Sequence, residues 1–132
     1  MSDEINHKQS KAMFWTGWVI SAIPILATGV MGAIMAITSP QKMTEGMATH
    51  GYSSHATWWL VGVEIACAVI YAIPRTAMLG AILLTGYFGG AVSTHVRAGE
   101  AFWIPVVVGV LVWLGLFLRD GRVRELVLRG VK

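Results

Sequence analysis

The 132-residue sequence is 55% hydrophobic and only 13% charged, with a mean hydropathy of +0.64. A soluble domain carries about 25% charged residues to face water, so a water-soluble globule is excluded. A disordered chain is excluded by the same figures, because disorder needs few apolar residues and abundant charge. The net charge of +3 does not point to nucleic acid, since the ten Lys and Arg residues sit at the ends of apolar runs, not on one polar face. A single cysteine, Cys67, rules out an intramolecular disulfide and a dithiol redox pair.

Four apolar segments follow in chain order, at about 14–38, 57–73, 76–94 and 101–118, with a basic tail at 119–132. The first holds no charge from Phe14 to Thr38. As a helix it would extend roughly 37 Å, against a hydrocarbon core of about 30 Å. Lys8 and Lys11 precede it as in a signal peptide, but the apolar run is too long for one and no clean A-x-A site follows, so it reads as an uncleaved first span. The 39–56 connection is rich in turn formers and predicts an irregular stretch or a short surface helix. The second segment carries Glu64. Pro74 ends it and forces a tight turn with Arg75 at the tip, because proline cannot extend a helix and disfavours helical geometry at Ile73. The Val106–Val112 run looks strand-like, yet four strands cannot close a barrel, and only helices otherwise satisfy their backbone in lipid. The fold expected is therefore all-α, a single integral membrane bundle of four transmembrane helices.

Charge sets its orientation. With four spans, one side holds Lys8, Lys11, Arg75, Arg119, Arg122, Arg124, Arg129 and Lys132, and the other only Lys42 and Arg97. Positive charge collects on the cytoplasmic side, so both termini are expected there, in a bacterial inner membrane. Trp15 and Trp18 mark one membrane interface; Trp58, Trp59 and Trp103 mark the other. The tail from Arg119 is expected to form a short amphipathic helix on anionic headgroups.

From Glu64 onward, several elements recur in one family. They are a Glu in the second helix, Ile-Pro-Arg-Thr at 73–76, and Gly-Ala-x-Leu-Leu-Thr-Gly-Tyr-x-Gly-Gly-Ala at 80–91. Thr-His-x-Arg at 94–97 and a closing Leu-Arg-Asp at 118–120 complete the set. In these features the chain resembles the DoxX-like family of small bacterial four-helix membrane proteins. The wider DoxX/DoxD group includes a subunit of thiosulfate:quinone oxidoreductase and proteins that associate with redox enzymes. The resemblance thus implies a four-helix membrane fold and a possible quinone or redox-enzyme connection.

Glu64 is the most informative residue, since a mid-bilayer acid is costly and by default marks a functional site. It must face the bundle interior and either find a partner or hold its proton. Helical spacing places Thr57, Leu60, Val61, Cys67, Ala68 and Tyr71 on the same face, leading to Arg75. The structural alternative for Glu64 is an interhelical hydrogen bond. Gly86, Gly89, Gly90 and Ser93 share one face of the third helix, as expected for packing within the bundle or against a second copy. A groove for a flat ligand is the other reading of that face. His95 and Arg97 close this helix and could hold an anionic or quinone headgroup. Arg75 anchors the turn, with Asp120 or Glu125 as a candidate partner. His50, His55, Glu45 and Glu100 lack tight ligand spacing, so no metal site is expected, and heme lacks ligands inside the bundle. Cys67 reads as a small buried apolar residue.

With most of the chain in membrane spans and no nucleophile–base pair, phosphate loop or dinucleotide fingerprint, a stand-alone enzyme is not expected. The favoured function is a small membrane subunit that binds a quinone or similar apolar ligand for a redox partner, with Glu64, Tyr71, Arg75, His95 and Arg97 as candidate residues. The rivals are an assembly or anchoring protein acting through helix packing, including as a homo-oligomer, and a small proton-coupled transporter. The expected environment is the lipid bilayer, with no nucleic acid.

Overall fold

The structure is a computed structural model that describes residues 10–130. Lys8 and Lys132, counted above in the charge balance, lie outside the described residues.

Helix α1 runs from Lys11 to Thr38. The hydroxyl of Ser10 caps its start by accepting from the Met13 backbone N–H at 3.1 Å. Pro24 lies inside it, and the six residues Ile25–Val30 that follow form a π-turn before the α-helix resumes at Met31–Thr38. Proline supplies no N–H and its ring presses on the preceding turn, so the hydrogen-bond ladder slips there. The Thr28 hydroxyl donates to the Pro24 carbonyl at 2.7 Å and occupies part of the freed backbone. Hydropathy, which is unbroken across this stretch, carries no trace of the slip.

The connection after α1 holds helix α2, Pro40–Thr49, with Pro40 at its first position. Helix α3, Ser54–Ala72, starts earlier than the apolar run because Ser53 caps it, accepting from Ala56 N–H at 3.1 Å. It stops where Ile73 turns extended before Pro74. Helix α4, Ala77–Ala98, ends on Gly99 at φ +70°, a left-handed residue suited to glycine. Helix α5, Trp103–Arg119, then bends by 100° into α6, Gly121–Arg129, across Asp120. Asp120 caps α6 through the Arg122 N–H at 3.0 Å. Three helices (α1, α3 and α4) are long and apolar enough to cross a membrane, or up to four if the bent α5–α6 pair is one span.

The long helices pack in a ring: α1 along α5, α5 along α4, α4 along α3, and α3 against the π-turn of α1. Tyr71, Leu84, Val112 and Leu116 are fully buried at the centre. Trp15, Val19, Trp59, Ile82 and Val110 face outward, as lipid-facing side chains should. The closest approaches occur at isolated glycines. A Cβ at Gly17 would meet the Arg119 backbone nitrogen at 2.6 Å, one at Gly115 the Ser21 nitrogen at 2.9 Å, and one at Gly80 the Tyr71 Cβ at 2.7 Å. Absence of a side chain at these points lets the backbones touch, which is how helices gain contact energy in lipid.

Candidate functional site

The candidate residues fall into separate places rather than one site. Glu64 sits half-buried in the middle of α3. Tyr87 on α4 is near enough to act on its carboxyl group. On the α1 side, its Oε2 would be 3.3 Å from a Cβ at Gly32, so the first span leaves room for the carboxyl by having no side chain there. Cys67 and Ala68, one turn on, are buried.

Tyr71 lies on the same face of α3 but belongs to a different set of contacts. Its hydroxyl donates to the Val112 carbonyl at 2.7 Å and lies 3.0 Å from Ser21 Oγ. Its backbone carbonyl accepts from Arg119 at 2.7 Å. The Arg119 guanidinium is sandwiched between the Trp18 and Tyr71 rings, with centroid distances of 4.3 and 4.6 Å. Arg119 is only 6% exposed, so a residue counted from sequence as surface charge is instead a buried tie between α1, α3 and α5. The signal that could have shown this is its position in the last turn of an apolar helix, facing an interfacial tryptophan.

Arg75 is exposed at the hairpin tip. Its two proposed partners are engaged elsewhere: Asp120 with Arg122 at 2.8 Å, and Glu125 with Arg129 at 2.8 Å. Arg122 also donates to the Pro74 carbonyl at 3.3 Å, so it holds the α3–α4 turn against the end of α5. The hydrogen bond from Arg122 keeps the Asp120 carboxyl below the ordinary range.

At the opposite end, His50, His95 and Glu100 converge. Glu100 Oε2 is 3.0 Å from His50 Nε2 and 3.9 Å from His95 Nε2. Both Nδ1 atoms face backbone carbonyls, Gly46 at 3.1 Å and Ala91 at 2.8 Å. Each Nδ1 therefore carries a hydrogen, and His50 needs a second proton on Nε2 to bond a carboxylate. The Glu100 hydrogen bond raises the His50 pKa, helped by the Gly46 carbonyl, and the same bond lowers that of Glu100. Sequence spacing missed this trio, because its members come from the C-cap of α2, from α4 and from the turn after α4. Among the described residues, no group of three or more His, Cys, Asp or Glu is arranged to hold a metal ion. Tyr52 joins the same end of the molecule through its hydroxyl, 2.8 Å from Thr94 Oγ1. Arg97 is exposed.

The small-residue face of α4 points out of the bundle. Gly86, Gly89, Gly90 and Ser93 are exposed, and a Cβ at any of the three glycines would meet nothing within 4 Å. The closest helix approaches in the bundle use other glycines, Gly17, Gly80 and Gly115. Beside it, α4 and α5 enclose a lateral groove of about 570 Å³. Phe88, Gly89, Gly109, Trp113 and Phe117 wall it, and Val123 and Val127 of α6 close one end. The Trp113 indole N–H donates to Thr85 Oγ1 at 2.8 Å inside it.

Comparison with known proteins rests on one finding, a match of residues 19–115 to the model of the DoxX-like family. The chain belongs to the DoxX-like family. The match runs from the first span into α5, and so covers the polar ties at Ser21 and Tyr71, Glu64, the loop-end trio and most of the groove. Neither the curated proteins nor the solved structures contain a match. For this DoxX-like protein, the family secures a helical membrane protein.

Proposed function

We propose that this DoxX-like protein is a four-span protein of the bacterial inner membrane, with both termini in the cytoplasm, that holds a quinone-class ligand for a redox enzyme. The imbalance of positive charge and the turn of α6 away from the α5 axis support that orientation. The ligand reading is carried by the lateral groove. Its volume lies within the 300–1,000 Å³ range common for small-molecule sites, on the order of a ring with the first units of an apolar tail. Aromatic walls at Phe88, Trp113 and Phe117 suit a flat ring, and the groove's opening along the helices suits a ligand that arrives through the bilayer. The candidates Glu64, Tyr71, Arg75, His95 and Arg97 do not line it, so on this reading they do not contact the ring.

The test uses protein purified in mild detergent with its native lipids. Mass spectrometry of an organic extract is expected to find a stoichiometric quinone in wild type that is lost in Gly89→Leu. That substitution fills the groove from a position with open space around it. An extract holding only phospholipid in both would overturn the reading. A second reading, assembly through helix packing, is favoured by the exposed Gly86–Gly90 face. It predicts self-association that Gly86→Leu and Gly90→Leu abolish.

A further inference from the structure

The end of the bundle where α5 bends into α6 holds a second cavity, of about 250 Å³, which shares no residue with the lateral groove. Phe14 and Trp18 of α1 form one wall and Pro74 of the α3–α4 turn another, while Arg119, Asp120 and Arg122 close it from the α5–α6 side. Arg119 is buried with its guanidinium over the Trp18 ring, so one positive charge is fixed in the wall. Arg122 bonds Asp120 through Nε at 3.1 Å and Nη2 at 2.8 Å, and its Nη2 also donates to the Pro74 carbonyl. Its Nη1 takes part in none of these bonds, and the side chain is 72% exposed, so N–H groups of the fork stay open to an acceptor.

Asp120 is the one carboxylate in this wall, and its oxygens are taken up by the Arg122 side chain and the α6 cap. Two guanidinium groups against one carboxylate leave the wall net positive. The same sign surrounds it in the chain, since Lys11 comes one turn before Phe14 and Arg75 follows Pro74. Aromatic walls of low dielectric focus that field. The apolar side runs on into the lipid-facing surface, where Phe14 and Trp15 are exposed. Helix α6 turns 100° from the α5 axis and so lies across the end of the bundle. Its Val123 is buried against the bundle, while Leu126 and Val127, one turn on and on the same arc, are exposed. A helix with that pattern rests at the level of lipid headgroups.

We propose that this cavity binds the headgroup of an anionic phospholipid, its phosphate accepting from Arg122 Nη1 in the field of Arg119 and its acyl chains lying along the exposed flank of α1. Basic pockets between helices at a membrane surface suit such headgroups. A zwitterionic phospholipid brings an ammonium that the two arginines repel. A soluble phosphate ester brings the charge without the chains that meet Phe14 and Trp15. In the orientation proposed above, the lipid belongs to the cytoplasmic leaflet. The binding itself depends neither on that orientation nor on the ligand of the groove.

The experiment is native mass spectrometry of the protein in detergent, titrated with phosphatidylglycerol or with phosphatidylcholine of the same acyl chains. The first phosphatidylglycerol is expected to bind about tenfold more tightly, the worth of one charge-assisted hydrogen bond. Arg122→Gln is expected to lose that preference. Arg129→Gln removes the same charge from the same helix, away from the cavity, and is expected to change binding less than about twofold. Asp120→Asn keeps a residue able to cap α6 and takes the negative charge out of the wall, so it is expected to bind phosphatidylglycerol more tightly. That gain tests the site even where loss of the Pro74 bond unfolds Arg122→Gln, and thermal unfolding in detergent checks each variant. Equal binding of the two lipids by wild type would overturn the inference. So would equal losses in Arg122→Gln and Arg129→Gln, or no gain in Asp120→Asn. Glycerol phosphate that displaces the lipid at matching concentration would overturn the lipid as occupant and leave a site for a soluble phosphate ester.

Discussion

The seam glycines make the sharpest test of how this bundle is held together. In Gly80→Ala the new Cβ would press on the Tyr71 backbone N and Cα and stand 2.7 Å from the Tyr71 Cβ, where ordinary contact begins at 3.4 Å, so α3 and α4 must part by more than 0.7 Å at their tightest point. Tyr71 cannot retreat, because its hydroxyl and carbonyl are both bonded across the bundle. Overpacking of this kind costs about 1–3 kcal/mol, while alanine returns about 0.5–1 kcal/mol of helix propensity over glycine. A net loss of about 1–2 kcal/mol is expected. Gly86→Ala adds the same methyl to the same helix but meets nothing within 4 Å, so it is expected to be neutral or slightly stabilising. Reversible unfolding in mixed micelles with rising SDS, followed by tryptophan fluorescence, measures both. If Gly80→Ala proves as stable as Gly86→Ala, the assignment of Gly80 to the packing seam is wrong.

Tyr71→Phe strands the Ser21 hydroxyl and the Val112 carbonyl. Hydrogen bonds in membrane proteins average about 0.6 kcal/mol and reach about 1.7, so a loss near 1 kcal/mol is expected in the same titration. A cycle with Ser21→Ala that shows no coupling would refute the shared bond. The His50–Glu100 pair sets a pH window for the docking of α2. Its raised His50 pKa gives stability that is complete below the ordinary 6.5 and is lost as pH rises through the raised value. Its lowered Glu100 pKa gives stability present above the ordinary 4.5 and lost as pH falls through the lowered value. Amide protection in Pro40–Thr49, the exchange rate taken relative to the intrinsic rate at each pH, should therefore be greatest between 4.5 and 6.5 and fall well above 6.5, and His50→Gln should remove that fall. Protection in α2 that is flat with pH in wild type would count against the pair.

Charge-free apolar runs, the turn at Pro74 and the position of Glu64 were legible because hydropathy and proline chemistry are local. Which face of each helix turns inward was far less so. In lipid both faces are apolar, so the alternation that marks a core in water is missing, and the glycine-rich face of α4 drew attention that belonged to Gly17, Gly80 and Gly115. The last three are isolated in sequence and acquire meaning only beside Arg119, Tyr71 and Ser21, from other helices. The π-turn left one clue, Pro24 in mid-span. The His50–Glu100–His95 trio left none that spacing could reveal, since its parts are brought together only when α2 folds back over the end of α4.

The pairing of α1 with α5 has a consequence for how the chain is made. The first helix emerges well before the last, yet Gly17 and Ser21 have their partners on α5, at Arg119 and Gly115. Until Trp103–Arg119 is in place, one flank of the first helix stays unclosed and Tyr71 lacks its Val112 acceptor. Ring closure is thus a late, long-range step, of the kind whose loop entropy must be met before its contacts form. A chain halted before that step would expose polar groups to lipid, a mark by which membrane proteases could tell unfinished copies from finished ones.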